Sequence, residues 1–352
     1  MQVPWNFTRR RSALSQEQTE ALFKVLDEST TTLQAVLSTS YLDAFIETGD
    51  NLLNGQVQVE DGRPADKVVA QLTDLYAQVD WQSFDAETVR RAVQLVMLKA
   101  IRVDEIQANH QLTPDTIAYI MGYLVTRLEK GKSHLTLLDL TVGTGNLLTA
   151  VLSQLKEVVA GTIDAYGVDN DDTLLAIAQT SSDLQRLPIE LIHQDALEQL
   201  LVPASDLIVA DLPIGYYPID ENAANYQTRA VDGHSFVHHL LLEQAVNQLT
   251  PGGIGVFLVP SQLFQTKEAK GLLKWLPANA YLQGLLNLPS ELFMNANAQK
   301  AILILQKPGA GAKQVEQVML GEFPSFKNQS AFQKFVAEIV QWEEQNLLTD
   351  RA

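Results

Sequence analysis

Through residues 1–108 the apolar positions recur every three or four residues, the period of an amphipathic helix. Ser15 to Gln18 has capping-box spacing ahead of Leu22, Val25, Leu26 and Leu33, which predicts a first helix beginning there. Tyr41-Leu42, Phe45-Ile46 and Leu52-Leu53 predict a second, stopped by Asn54-Gly55. Pro64 opens a third with Val68-Val69, Leu72 and Leu75-Tyr76. Asp85 caps a fourth, which carries Val89, Val93, Val96-Met97 and Ile101. Four helices with short polar connections predict a small N-terminal all-α domain.

From Thr113 the pattern changes. Short apolar runs alternate with helical segments, which predicts an α/β domain over 109–352 built on a doubly wound, mostly parallel sheet. The first four runs are 135–138, 165–168, 189–193 and 206–210, and each leads into a polar or acidic loop. Pro251-Gly252-Gly253 is expected to separate a helix over 234–249 from a strand over 254–259. Beyond Pro308-Gly309-Ala310-Gly311 comes a short strand-like piece, Val315 to Leu320. A last amphipathic helix over about 328–347 is expected to pack its apolar stripe on the protein itself.

The residues Asp139 to Asn146, DLTVGTGN, stand at the first strand-to-helix turn. Gly143 and Gly145 lack a Cβ, so the backbone there can pass close to a ligand. The following helix start offers free N–H groups and a positive dipole end. In open α/β sheets a nucleotide-like ligand binds at such a turn. The dinucleotide fingerprint wants a third glycine where Leu148 stands, which argues against NAD or FAD. Asp169 follows Gly143 by 26 positions, near the ~20-residue interval at which a carboxylate meets ribose hydroxyls. Asp195 ends the third run and reads either as a ligand group or as the cap of a helix at Ala196-Leu197-Glu198. Asp211 ends the fourth, as a chemical group or as the cap of the sheet edge.

This order of motifs resembles the class I S-adenosylmethionine-dependent methyltransferases. More narrowly it resembles the adenine-specific, amino-methylating DNA methyltransferases, in the branch of the type I restriction-modification modification subunits. The likeness spans about residues 108 to 308. It begins with Gln111-Leu112-Thr113-Pro114, continues through the glycine turn, Asp169, Asp195 and Asp211-Leu212-Pro213-Ile214, and closes with Asn287-Leu288-Pro289, Phe293 and Gln299 to Leu305. It implies a Rossmann-like sheet with an antiparallel closing strand, and S-adenosyl-L-methionine as the cofactor. Implied cofactor contacts are Thr113, Pro114, Asp139, Thr141, Gly143 and Thr144. Gly145, Asn146, Asp169, Asn170, Asp195 and Ala196 complete them. Among these, Asp169 would accept from both ribose hydroxyls, Asp195 would receive the adenine amino group, and Asp139 would orient the turn or meet the methionine ammonium.

The resemblance implies catalysis by Asp211 and Pro213, with Tyr216 or Tyr217 as the ring that stacks on a flipped base. The family tetrapeptide is usually Asn or Asp, Pro, Pro, aromatic. Leu212 and Ile214 depart from it, and no insert resembles a target-recognition domain.

Charge narrows the acceptor. The chain has 352 residues and a formal net charge of −17. Residues 1–110 carry 10 Lys/Arg against 16 Asp/Glu, and residues 111–352 carry 15 against 26. Nucleic-acid affinity normally rests on Lys and Arg at phosphates, so DNA binding is expected to be weak or partner-assisted. The chain has no cysteine, which excludes disulfides and thiolate metal sites. No apolar run approaches the ~18 residues that cross a bilayer, and Arg9-Arg10-Arg11 precedes no apolar segment, so a cytoplasmic chain without membrane contact is expected. His234, His238 and His239 have the i, i+4 spacing of metal ligands on a helix, but no acidic motif accompanies them and no metal is expected. The polar stretch 219–233, with Arg229, reads as a mobile lid or a passive loop.

The expected function is methyl transfer from S-adenosylmethionine to a nitrogen, by resemblance the adenine amino group of DNA methylation. An RNA base, a protein amide and a small molecule stay open as acceptors. The alternative is a cofactor-binding protein without turnover, its helical domain meeting a protein partner.

Overall fold

The computed structural model describes residues 9–104, with side chains from Ser15, and residues 113–129, 131–293 and 298–347. Gln111 and Leu112 lie outside the described residues, as does the 108/109 boundary; Arg9 to Arg11 are described as backbone alone. The helical part holds α1 (Arg9–Leu37), α2 (Tyr41–Asn54), α3 (Asp66–Tyr76) and α4 (Ala86–Val103). Ser40 accepts from the Asp43 N–H to start α2, and Gly55, at φ 68°, ends it. Asp85 accepts from the Thr88 N–H to start α4. The capping box at Ser15 is not used. α1 is already helical at Arg9, and the Ser15 hydroxyl lies 3.1 Å from the Thr88 hydroxyl of α4. α3 begins at Asp66, two residues past Pro64.

The second part runs α5 (Asp115–Glu129), β1 (His134–Asp139), α6 (Asn146–Leu155), β2 (Thr162–Asp169), α7 (Asp172–Leu184), β3 (Glu190–His193) and β4 (Ser205–Asp211). It continues with α8 (Asp220–Ala223), α9 (Val237–Gln248), β5 (Leu249–Pro260), α10 (Lys270–Asn279), β6 (Tyr281–Asn287), β7 (Lys300–Gln306), β8 (Met319–Glu322) and α11 (Gln329–Asn346). The eight strands form one sheet in the order β3-β2-β1-β4-β5-β7-β6-β8. Only β7 runs against its neighbours β5 and β6; the other pairs are parallel. The carboxyl ends of β1, β2 and β4 therefore share one edge, where Asp139, Asp169 and Asp211 stand.

Three expected boundaries move. Pro251-Gly252-Gly253 does not separate helix from strand. β5 starts at Leu249 and carries the three residues as a bulge between the Ser205–Leu249 and Leu207–Ile254 pairs. Gly252, at φ 79°, donates its N–H to the Lys307 carbonyl while the Lys307 N–H returns to Gly253, so the ladder survives the turn signal. α9 starts at Val237 rather than 234. Ser235 to Val237 pair with the loop after β4: the Tyr217 N–H reaches the Ser235 carbonyl at 2.8 Å, Phe236 bridges Tyr216, and the Val237 N–H reaches the Gly215 carbonyl at 3.0 Å. The last strand starts at Met319, because the Val315 N–H is taken by the Gln283 side chain.

One apolar cluster packs α5, α6 and α11 on one face of the sheet, and a second packs α9 and α10 on the other. The α11 stripe is buried at Val336, Ile339 and Trp342, and its Glu343 pairs with Arg127 of α5 at 2.6 Å. A third cluster joins Leu26 and Phe45 of the helical part to Ile177 and Leu184 of α7, so α7 is shared between the two parts. Among the described residues no helix is long and apolar enough to cross a membrane.

α2 meets α7 at Gly49. A Cβ built there would lie 2.1 Å from the Thr180 methyl. Gly49→Val is therefore expected to lower the unfolding free energy by about 2 kcal/mol, the scale of core overpacking. Gly49→Ala with Thr180→Ser should match or exceed the parent, because the clash is relieved and alanine favours a helix by ~1 kcal/mol over glycine. Denaturant titration checks both, and a Gly49→Val variant as stable as the parent would contradict this contact.

Candidate active site

The turn after β1 is held by its own carboxylates. Asp139 is 1% exposed and accepts the Thr141 N–H at 3.0 Å. Burial pushes its carboxyl well above the usual carboxylate range, and the charges of Asp169 and Asp211 push the same way. Asp169, at the end of β2, accepts the Gly143 N–H at 2.8 Å and the Asp171 N–H at 3.1 Å. It too is raised by burial, against the pull of these amides.

The two glycines do different jobs. Both lie in the left-handed region, at φ 52° for Gly143 and 78° for Gly145. A Cβ on Gly143 would meet nothing within 4 Å, so the turn is open there. A Cβ on Gly145 would come within 3.3 Å of Ala178, so that glycine permits α7 to approach. Thr144 lies between them. Asn146 opens α6 and donates through Nδ2 to the Thr113 carbonyl at 2.7 Å, while its Oδ1 accepts from Arg90 of α4 at 2.8 Å. Pro114 offers its carbonyl to the first amides of α5.

Asp211 gathers distant segments. Its Oδ2 accepts the Thr113 hydroxyl at 2.9 Å, and its carbonyl accepts the Thr141 hydroxyl at 3.2 Å. Its Oδ1 is held by the ammonium of Lys300, the first residue of β7. Sequence reasoning gave Lys300 no role at the site, reading it only as part of the closing strand run Gln299 to Leu305. It also missed Arg90, which is hidden in the amphipathic pattern of α4.

Beyond Asp211, Leu212 is buried and donates its N–H to the Leu258 carbonyl at 3.0 Å. Tyr216 is 55% exposed and lies flat on Phe236, with ring centroids 4.6 Å apart. Tyr217 is only 5% exposed, and its hydroxyl donates to Asp195 Oδ2 at 2.5 Å. Asp195 also accepts the Leu197 N–H at 2.9 Å, in the turn that holds the buried Ala196. The Asn170 carbonyl faces the His193 ring at 3.2 Å.

The three histidines do not converge. His234 precedes α9 and contacts Asp220 at 3.0 Å, whereas His238 and His239 are buried beneath Phe236. Among the described residues no group of three or more His, Cys, Asp or Glu is placed to hold a metal. Burial, then the neighbouring His239, holds His238 down to about 3, while the Pro213 carbonyl acts against them. Burial holds His239 down to about 4. The stretch 219–233 is tied down rather than free. The Tyr226 hydroxyl reaches the Leu197 carbonyl at 2.8 Å, the Thr228 N–H reaches Glu243 at 2.8 Å, and Arg229 bonds the Tyr226 carbonyl.

Comparison with known proteins follows the same division. Residues 20–101 match the model of the YtxK N-terminal helical domain, and residues 97–342 match that of N-6 DNA methylase. Over 323 residues the chain is 37% identical to the uncharacterized protein YtxK of Bacillus subtilis (strain 168), across 92% of this chain and 96% of that one. A solved chain from Listeria monocytogenes, described as a candidate class I S-adenosylmethionine-dependent methyltransferase, is 38% identical with a TM-score of 0.85, covering 93% of this chain and 99% of its own. The type I restriction-modification methyltransferase subunit of Streptococcus thermophilus shares the fold at 16% identity and a TM-score of 0.62, over 92% of this chain and 74% of its own.

His238 and His239 set an acid limit on stability. Their folded values lie below the ordinary histidine value, so the unfolded chain binds protons that the folded chain excludes. Their stabilising share is full above roughly pH 6.5 and is lost as pH falls toward about 4 and 3, each imidazole steepening the fall by about 1.4 kcal/mol per pH unit. Denaturant titration from pH 7 to 5 should show this slope, and His238→Gln should remove about half of it. An unchanged slope in His238→Gln would assign the acid limit to other groups.

Proposed function

The chain belongs to the N-6 DNA methylase family, and on that premise we propose an S-adenosylmethionine-dependent N-methyltransferase in which Asp211 aligns the acceptor nitrogen. One observation carries the reading: the Thr141 hydroxyl of the open glycine turn is bonded directly to the Asp211 carbonyl, so a ligand at the turn lies beside the acceptor loop.

The residues suit the cofactor. The space over Gly143 admits a ligand where a side chain would block it. The buried Asp139 carboxyl lacks a cationic partner among the described residues and favours a nearby ammonium. Asp169 spends one lone pair of each oxygen on an amide, which leaves acceptor capacity for two ribose hydroxyls. Asp195, steadied by Tyr217, suits an exocyclic amine.

The cofactor supplies a methyl group on a sulfonium, already a good leaving group. The protein's task is then to position and polarise the acceptor. An amino group conjugated to a ring is a poor nucleophile. Hydrogen bonds to Asp211 Oδ1 and to the Leu212 or Pro213 carbonyl turn its lone pair out of conjugation. The acceptor N–H displaces the Lys300 ammonium to reach Oδ1. As the N–C bond formed, the methyl–sulfur bond would break and leave a neutral thioether; the nitrogen would turn cationic, the freed Asp211 carboxylate would stabilise that charge, and the proton would leave to the carboxylate or to water. The exposed Tyr216 ring, stacked on Phe236, offers a flat face to a planar acceptor such as adenine. With a net charge of −17, a nucleic-acid acceptor is delivered by a partner rather than captured by the chain alone. The helical part offers the surface for such a protein partner.

The direct test is tritiated methyl transfer into cellular DNA, RNA, protein and small-molecule fractions. Label is expected in a nitrogen of one fraction. Asp211→Ala should lower single-turnover transfer by ~100-fold or more with cofactor affinity nearly unchanged, since the group acts chiefly in the transition state. Unimpaired transfer by Asp211→Ala, or label in no fraction, would overturn the reading.

Asp139 adds a pH signature. Its carboxyl must be ionised to hold an ammonium, and burial resists ionisation. Cofactor affinity is therefore expected to rise with pH above the ordinary carboxylate range, with proton release on binding. Calorimetry in two buffers of different ionisation enthalpy measures that release, and Asp139→Asn should abolish it.

A further inference from the structure

We infer that Arg90, a residue of the helical part, is a positioning residue of the cofactor turn: it fixes the Asn146 carboxamide, and through Thr113 it sets Asp211. The inference rests on the proposed cofactor but not on the identity of the acceptor.

The guanidinium of Arg90 is 1% exposed, and its hydrogen-bonding partners lie on three helices. It bonds Glu87 of α4 through Nε at 3.0 Å and Nη2 at 3.0 Å. Its Nη1 bonds Asp115, the first residue of α5, at 2.6 Å, and Asn146, the first residue of α6, at 2.8 Å. A cation at two helix starts runs against both dipoles, which favour anions there. Helix stability alone therefore does not call for this charge at this point.

Its consequence lies in the Asn146 amide. A carboxamide has one accepting and one donating end. Because Arg90 donates, Asn146 must turn its oxygen toward the guanidinium. Its nitrogen then faces the Thr113 carbonyl, at 2.7 Å. The reversed amide would set two donors together at Arg90 and two acceptors together at Thr113. Thr113, so held, gives its hydroxyl to Asp211 at 2.9 Å. The hydrogen bonds Arg90–Asn146, Asn146–Thr113 and Thr113–Asp211 thus form one oriented series. It begins in the helical part, crosses the residue next to Gly145, and ends on the acceptor loop.

A second clamp between the two parts supplies the control. Arg186, just beyond the carboxyl end of α7, bonds the Gln82 carbonyl at 3.0 Å and the Phe84 carbonyl, and lies over the Trp81 ring. α7 passes the turn at Ala178, which packs on Gly145, and ends at Leu184, about 9 Å further along its axis, so Arg186 joins the parts beyond that contact.

The test is calorimetric binding of S-adenosylhomocysteine by the full chain, with stability measured in parallel by denaturant titration. Arg90→Met and Asn146→Ala are each expected to weaken binding by about tenfold or more, the scale of a lost charge-assisted hydrogen bond. The double variant should be no weaker than the weaker single, because both break one series. Arg90→Lys should recover part of the affinity. Arg186→Met should lose stability while its affinity stays within about twofold of the parent. Should Arg90→Met fail to fold, Asn146→Ala, Arg90→Lys and their double variant carry the same comparison. Parent-like affinity in these variants, strictly additive losses, or an Arg186→Met loss equal to that of Arg90→Met would overturn the inference. A parent that binds no S-adenosylhomocysteine would instead remove the cofactor reading itself, and this inference with it.

Discussion

A guanidinium that is 1% exposed must keep its hydrogen bonds, because a buried charge left without partners costs several kcal/mol. Arg90 meets that constraint only if α4 and the starts of α5 and α6 come to one point. The glycine turn, the Thr113 carbonyl and the helical part are thereby referred to a single group. The apolar contacts between α2, α4 and α7 bring the two parts together without choosing a direction. Directional hydrogen bonds do choose one, which is why a polar contact, rather than the larger hydrophobic one, sets the geometry at the site.

The sheet edge poses a second electrostatic problem. Asp139, Asp169 and Asp211 end three parallel strands at the same edge, and for Asp139 and Asp169 burial resists ionisation. In a parallel sheet the first residues of all strands lie at the opposite edge, so none can deliver a cation to the carboxyl ends. β7 runs the other way, and its first residue, Lys300, arrives beside Asp211. The antiparallel strand is thus the topological device by which this acidic edge gains an ammonium. From two other loops, Thr113 bonds the Asp211 carboxylate and Thr141 bonds its backbone carbonyl, so side chain and main chain are both fixed at this strand end.

Much of this was legible in the residue order. Four helices, a change of period near Thr113 and an alternating sheet follow from local periodicity, and so does the glycine turn between Leu138 and Leu147; the antiparallel closing strand was implied only by the family resemblance. Acidic residues at strand ends were readable because a strand boundary and a carboxylate are both local signals. Where local signals misled, a tertiary partner had overridden them. The capping box at Ser15 yielded to a helix already formed, Pro251-Gly252-Gly253 yielded to the ladder with Lys307, and Phe236 was drawn into pairing with Tyr216.

By itself, then, the sequence determined the elements, their order and the acidic, glycine-bearing character of the turn, because these depend on neighbours within a few residues. The tertiary structure alone decided which groups meet. Lys300 reaches Asp211 across 89 positions, Arg90 reaches Asn146 across 56, and Thr113 reaches Asp211 across 98. It also decided that Tyr216 is exposed while Tyr217 is buried on Asp195, two adjacent residues with the same chemistry. Such pairings depend on register, strand direction and burial, which no short window of residues encodes.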